Sequence, residues 1–565
     1  MSSDPLRDLL YPSSIAIVGA SDDPLRIGGR PLNYLRTMGF EGVIYPVNPK
    51  RDRVQDLTAY PSVADIPGQV DFVLIAVPAK LVVEAARQSA AKGAKTCLIF
   101  SSGFAEEGEE GAARQAELAR IAADTGMRVL GPNCLGMFNS AHGFYPTFTG
   151  TVKMKRPTPG GISIASQSGA YGSHIAHVSN LRGLGVRYWI TSGNECDLNT
   201  AEAIGLLARS PEVHTIMAYA ESIKDGPALM RSLDDARAER KPVIMMKVGR
   251  SEIGAQAASS HTASLAGEDA VYDAILRQYG CIRAETTEQM LDIAYAARPR
   301  VYPAGRKLGV VTISGGAGVL IADAAEDQGL DVAPMPEAAQ AKLKELVPFA
   351  APRNPVDVTA QFFNDLTLVP KFLTEMLNEG GYDGLLGFWT SVAGNPNLAD
   401  PLIQELVKTV EGRKDTLFIH SLLADDAIRE RYEAEGFPCF DDPTRAVNAM
   451  AALMFAGESF AKGRAETPAI PDLPPLPGHD LNEAEAKALL AEAGLPMVED
   501  RIATSAEEAT GMPGPLAMKI VSPDIQHKTE AGGVALNVSA EDAAMTFDRL
   551  IANARVYAPE ARIDG

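Results

Sequence analysis

The residues best suited to chemistry begin with His261, which stands in GAQAASSHTASLAG, residues 254–267. Five alanines, three serines and two glycines surround it, in a chain with only eight histidines. A neutral imidazole is a competent nucleophile near pH 7. Flanking residues of so little bulk would let the loop enter and leave a narrow cleft. A surface histidine near a helix start is the plainer reading of His261 alone. Glu221, in AYAESIKDG, follows an apolar stretch of the same region and could hold the second ring nitrogen, fixing the tautomer and stabilising a charged ring.

Two Ser/Gly junctions supply matching anion sites. SQSGAYGSH (166–174) offers Ser166, Ser168 and Gly169, and SGGAG (314–318) offers Ser314, Gly315 and Gly316. At a strand-to-helix turn the first free amides and the helix dipole favour a phosphate. Serine as an ordinary N-cap is the competing reading for each. Further on, MKIVSPDIQHKTEAGGVALN (518–537) holds Lys519, His527, Lys528 and a glycine pair. Lys519 beneath a Gly-rich turn suits nucleotide phosphates, although GxxxxGK[ST] is absent.

These residues need strand ends to carry them, and the chain supplies them repeatedly. SIAIVGAS (14–21), GVIYPVN (42–48), DFVLIAVP (71–78), TCLIFSSGF (96–104) and MRVLGPN (127–133) are apolar runs ending in glycine or proline turns. Alanine-rich helical stretches lie between them, which predicts a parallel sheet covered on both faces. Here Gly19 opens GASDDPLRIGG rather than GxGxxG, and the second strand ends in Asn48, Pro49 and Lys50 where an NAD site would place an acid. An amide and a cation fit a phosphate-bearing nucleotide better. A second series runs from GGISIASQSGAYG (160–172) to PVIMMKVG (242–249), and a third opens at KLGVVTISGGAGVLIADAAED (307–327). Their similar openings predict related doubly wound domains. ETPAIPDLPPLPGHD (466–480) reads as an extended linker, and LNEAEAKALLAEAGLP (481–496) as an amphipathic helix capped near Asn482.

Bulk properties agree with a cytoplasmic enzyme acting on small molecules. At 565 residues the chain predicts several domains. Net charge −20 opposes general nucleic-acid binding. No apolar run is long enough to span a membrane, and the N-terminus carries no secretory pattern. Five scattered cysteines without a CxxC pair give no zinc site or disulfide framework.

SQSGA, SGNECD, SSHTASLAG, NPVDVT (354–359) and SPDIQHKTEAGGV, in that order along the chain, resemble the NDP-forming acyl-CoA synthetases, relatives of succinyl-CoA synthetase that include ADP-forming acetate–CoA ligases. The resemblance implies an α/β chain with a Rossmann-like CoA-binding domain (1–150) and a flavodoxin-like ligase domain with a phosphohistidine loop (151–300). A second such domain (301–462), a Pro-rich linker (463–480) and the start of an ATP-grasp domain (481–565) follow. It implies ligation of a carboxylic acid to CoA through an acyl phosphate and a phosphohistidine, reversibly, with ATP/ADP and Mg²⁺. His261 would carry the phosphoryl group, Glu221 would partner it, and His527 matches a second relay histidine of some members. Lys519 would hold ATP, and Gly19, Ser21, Lys50, Pro78 and Asn133 the CoA. Gly193, Asn194 and the 144–149 loop are candidates for the acid pocket, and a dimer is expected. No metal ligand is assigned. Family ATP-grasp domains run well beyond residue 565, so nucleotide chemistry is expected to need residues outside this sequence. Two other readings stay open: a lyase that begins by CoA ligation, and a non-catalytic CoA-binding regulator.

Overall fold

The computed structural model describes residues 5–254, 256, 268–413, 415–464 and 474–565. His261 and most of the Pro-rich linker lie outside the described residues. The chain divides into two compact units, Met1–Ala465 and Glu466–Gly565.

Unit 1 contains three sheets built to one plan. In the first, β1 (Ser14–Val18), β2 (Val43–Val47), β3 (Phe72–Ile75), β4 (Thr96–Ile99) and β5 (Arg128–Leu130) lie in the order β2-β1-β3-β4-β5, every pair parallel. The second holds β6 (Met137–Asn139), β7 (Ile162–Ser166), β8 (Val186–Thr191), β9 (Thr215–Ala220), β10 (Val243–Lys247) and β11 (Ile282–Arg283), in the order β11-β10-β9-β7-β8-β6. Only the β6 edge is antiparallel. The third, β12 (Leu308–Thr312), β13 (Val356–Asp357), β14 (Gly384–Thr390), β15 (Leu417–Leu422) and β16 (Cys439–Phe440), runs β13-β12-β14-β15-β16. Counting from β1, β7 and β12, each parallel series has the order 2-1-3-4-5. Connections leave on opposite sides of its first strand, and that switch point opens a crevice at the strand C-termini.

The strands form where the sequence is apolar without alternation, because helices cover both faces. All five residues of β1, β7, β10 and β12 are buried. The matched openings of the second and third series prove structurally equivalent. Helices Gly169–Leu181 (α1) and Gly315–Asp327 (α2) are each capped by serine: Ser168 Oγ accepts from Tyr171 N and Ser314 Oγ from Ala317 N, both at 3.4 Å. In each turn a strand-end hydroxyl donates to the cap carbonyl, Ser166 to Ser168 O at 2.7 Å and Thr312 to Ser314 O at 2.9 Å. Helix Pro443–Ala461 (α3) joins the second and third sheets through a shared core that includes Trp189, Met246, Ile321, Val447 and Met454.

In unit 2 an antiparallel pair, β17 (Leu516–Lys519) and β18 (Val534–Val538), packs with helix Ala543–Tyr557 around Ile520, Ile525 and Leu550. Helix Glu483–Glu492 begins at Asn482 with a capping box closed by Glu485. It buries none of its residues, contrary to the amphipathic reading. Its apolar residues fall on two opposite faces, Ala484, Ala488 and Ala491 on one and Ala486, Leu489 and Leu490 on the other, so no single apolar stripe results. Among the described residues no helix is long and apolar enough to cross a membrane.

Candidate active site

The second sheet places its chemistry at the switch point between β7 and β9. There β7 runs into Ser168 and α1, and β9 runs into Glu221. Pairing of β7 with β9 sets these two ends side by side. Gln167 locks them together. Its Oε1 accepts from the backbone N–H of Glu221 at 2.8 Å and of Ser222 at 2.9 Å, and its Nε2 donates to Glu195 Oε2 and Ser222 Oγ, both at 3.2 Å. Glu195 in turn accepts from Ser192 Oγ, Thr200 N and Thr200 Oγ1, each at 2.8 Å. Gln167 is 4% exposed and Glu195 8%. A buried carboxylate survives in this setting because hydrogen bonds replace its water.

A cavity of about 240 Å³ opens above this network. Ser168, Gly169 and Glu221 line it with Gly193, Asn194 and Asn133. The phosphate-type helix start, the carboxylate and a strand end of the first sheet thus meet in one space. Gly169 is required by close packing, since a Cβ there would lie 2.7 Å from Leu135 Cβ. Tyr219, buried beside Glu221, has its hydroxyl pKa raised by burial and then by the charge of Glu221.

Other sequence candidates take different places. Ser166 is buried beneath the turn, its hydroxyl used on the Ser168 carbonyl, so it supports the anion site from behind. Ser314, Gly315 and Gly316 start α2 and are not among the residues lining this cavity. Asn194 faces the cavity, yet its amide is engaged: Nδ2 donates to Glu106 Oε2 and to Gln115 Oε1 (3.0 Å), and Oδ1 accepts from Asn133 Nδ2 at 3.3 Å. It ties the second sheet to the first. Burial acts to raise the Glu106 pKa, but hydrogen bonds from Asn194 and nearby backbone outweigh it and hold that carboxyl below its usual range. Gly193, at φ +60°, comes so close that a Cβ would lie 2.4 Å from Pro132 O.

Gly19, Ser21, Lys50, Pro78 and Asn133 follow strand ends of the first sheet, the first four around its switch point and Asn133 at the far edge after β5. Gly19 (φ +87°) and Gly28 pass so closely that a Cβ on Gly28 would lie 2.1 Å from Gly19 O. Asn48 Nδ2 donates to Ala20 O at 2.9 Å and pins the turn, leaving Lys50 exposed. In unit 2, Lys519 and Lys528 both pair with Glu483, Lys519 at 2.7 Å. Their ammonium groups pull the Glu483 carboxyl down to about 2. His527 is exposed on the turn that follows β17. Sequence reasoning passed over Gln167, Glu195, Lys224 and Phe100, whereas Phe148, which also lines the cavity, falls in the 144–149 loop named for the acid pocket. The first three stand inside stretches already singled out, but their partners are distant in sequence.

A switch-point cavity that joins a helix start and a carboxylate to a second nucleotide-type sheet defines an α/β group-transfer enzyme. Comparison with known proteins makes this specific. Residues 13–140 match the CoA binding domain, 159–297 the succinyl-CoA ligase like flavodoxin domain, 308–435 the ligase-CoA domain and 477–565 the ATP-grasp domain. Acetate–CoA ligase [ADP-forming] I of Archaeoglobus fulgidus is 32% identical over 580 residues, covering 99% of this chain and 82% of that protein. Trans-feruloyl-CoA synthase FCS1 of an unknown prokaryotic organism is 32% identical, with 100% and 81% covered. The dinucleotide forming acetyl-coenzyme A synthetase 1 of Ca. Korarchaeum cryptofilum, solved with phosphate and ADP, superposes with TM-score 0.71 at 30% identity, over 81% of this chain and 98% of that one. The chain belongs to the ADP-forming acyl-CoA synthetase family.

Proposed function

We propose that this protein joins a carboxylic acid to CoA by way of His261, with Glu221 as the partner of the imidazole. The enzyme is an acid–thiol ligase. ATP passes its terminal phosphoryl group to a ring nitrogen of His261 and leaves as ADP. A carboxylate oxygen of the acid then attacks that phosphorus, giving an acyl phosphate and restoring the imidazole. The CoA sulfur attacks the acyl carbon and expels inorganic phosphate. Every step is reversible, so the same residues support ATP formation from acyl-CoA.

The reading is carried by one observation: Glu221 and the Ser168–Gly169 helix start share a cavity with Asn133 of the CoA-type sheet. The amides and dipole of α1 suit a phosphoryl group in transit, and Glu221 suits a positively charged imidazole. His261 enters through the sequence resemblance, being outside the described residues. CoA fits the first sheet, whose Gly19–Gly28 contact leaves no room for a Cβ and lets backbone approach the ligand; Ser21, Lys50, Pro78 and Asn133 would flank it. Lys519 would hold nucleotide phosphates, and His527 would relay the phosphoryl group between the nucleotide and His261. Ser314, Gly315 and Gly316 would form a second phosphate station. Gly193 and Asn194 would border the acid. Mg²⁺ belongs to the proposal without assigned ligands, because among the described residues no group of three or more His, Cys, Asp or Glu is arranged to hold a metal ion. The domain limits at 150, 300, 462 and 480, a dimeric state and a cytoplasmic setting are parts of the same proposal.

The test is incubation of the protein with γ-labelled ATP and Mg²⁺. Acid-labile, base-stable label that maps to His261 in the wild-type protein, is lost from that peptide in His261→Ala with any remainder on His527, and persists in His142→Ala is the expected result. Absence of label from the wild-type protein, or wild-type label on neither His261 nor His527, refutes the relay.

A further inference from the structure

We propose that the second sheet carries a second anion site at the end opposite Glu221, where His214, Arg298 and Arg300 hold a phosphate group, free or as a small phosphomonoester. The inference is independent of the ligase reading above.

A cavity of about 280 Å³ lies beneath the amino ends of β7, β8 and β9. Gly160 and Gly161 lead into β7, Gly183 and Gly185 into β8, and His214 into β9; all five line the cavity with Arg298. Strand β9 runs from His214 to Glu221, a span of roughly 20 Å at about 3.3 Å per residue. An occupant here is therefore too far from Ser168 and Glu221 to belong to their site. The volume lies below the roughly 300–1,000 Å³ of pockets for drug-sized ligands, so it suits an ion or a small ester better than a whole nucleotide cofactor.

In a chain of net charge −20, this end of the sheet gathers cations. Arg300 Nη1 stands 3.5 Å from His214 Nε2, and Arg187 Nε donates to Gly160 O at 3.3 Å. Lys241, whose Nζ donates to Ala208 O and Ser210 O at 2.6 Å, acts on the same imidazole. A guanidinium only donates, so Nε2 accepts and the neutral ring carries its proton on Nδ1. That nitrogen lies against Gly161, where a Cβ would approach it to 2.5 Å, so a ring N–H and glycine backbone border the cavity together. Among the described residues lining the cavity none is an acid. Glu433 takes Arg298 Nη1 at 3.0 Å, which leaves the other donors of a five-donor guanidinium. Glu212 and Glu239 offset Arg187 and Lys241 from outside the lining.

Like charges set this close repel one another. Burial, and then the charges of Arg300, Lys241 and Arg187, hold the His214 pKa below its usual value. A doubly charged anion among these groups relieves the repulsion and meets the planar donors that arginine offers to phosphate. It also draws a proton onto His214, because a nearby opposite charge favours the charged ring.

The experiment is calorimetric titration of the full chain with inorganic phosphate, glycerol 3-phosphate and sulfate. Phosphate should bind saturably, and Arg298→Gln and Arg300→Gln should each weaken it by about 10- to 100-fold, the worth of one hydrogen bond between charged groups. Arg300→Lys should keep part of the affinity, which separates loss of the cation from loss of the fold. Lys408→Gln, on helix Ala399–Val410 with its side chain 62% exposed, should match wild type. Binding of glycerol 3-phosphate that falls in the same two arginine variants assigns an ester; phosphate binding without it assigns the free ion. Sulfate keeps both charges between about pH 7.5 and about pH 6, so its binding should strengthen severalfold over that drop in wild type and stay level in His214→Gln. No saturable phosphate binding, wild-type amount and affinity in both arginine variants, or one pH response shared by wild type and His214→Gln overturns the inference.

Discussion

Gln167→Leu tests the physical basis of the site most directly. The Gln167 side chain accepts two backbone N–H bonds, from Glu221 and Ser222, where those residues are 8% and 5% exposed. Leucine keeps the bulk and removes the one oxygen that accepts both bonds. A buried donor left without a partner costs about 1–3 kcal/mol, so the pair predicts a loss of about 2–6 kcal/mol. Glu195 keeps its bonds from Ser192 and Thr200, so its desolvation adds little to that figure. Urea unfolding followed by intrinsic fluorescence reads this loss, because the two tryptophans, Trp189 and Trp389, sit in the second and third sheets. The midpoint should fall with the slope unchanged. Gln167→Glu gives a second readout. Its carboxylate still accepts both N–H groups but replaces the 3.2 Å bond to Glu195 with like-charge repulsion. Such a pair retains a proton, so its folded pKa lies above that of the unfolded chain. The penalty is therefore present at high pH and is relieved as pH falls through the raised value. Gln167→Leu within ~0.5 kcal/mol of wild type, or Gln167→Glu with wild-type pH dependence, would refute the argument.

Two further outcomes follow from the geometry. Gly193→Ala forces a left-handed backbone on alanine, costing about 1–2 kcal/mol, and drives a Cβ into Pro132 O. KM for the acid should rise severalfold, while Gly226→Ala, whose Cβ meets open space, should be silent; equal behaviour of the two excludes a place for the turn beside the acid. Glu483→Gln should tighten ADP binding in calorimetry at low salt, because Lys519 and Lys528 lose the carboxylate they now hold; unchanged or weaker binding counts against the contact as a competitor. Because the folded Glu483 carboxyl titrates at about 2, its stabilising effect is complete above the ordinary glutamate range and disappears as pH falls toward 2. The stability gap between wild type and Glu483→Gln should close over that window.

Much of this protein was legible from local sequence. Runs such as SIAIV and ISIAS carry nothing more polar than serine and show no apolar–polar alternation, and only a strand covered on both faces buries every position. Ser168, Ser314 and Asn482 announce helix starts because a short hydroxyl or amide side chain satisfies an amide that the helix itself leaves free. Glu221 was legible as a strand-end carboxylate.

What required tertiary structure was pairing over distance. Gln167 and Glu221 are 54 residues apart, and Asn194 and Glu106 are 88 apart. Neither pair leaves a periodic trace, because nothing in the chain between them depends on the contact. The same reason explains why the tie that Asn194, an acid-pocket candidate, makes between two sheets left no sign in the sequence. Local spacing determines which elements form and where they begin. The order in which strands lie beside one another determines which of their ends share a cavity, and with it the chemistry.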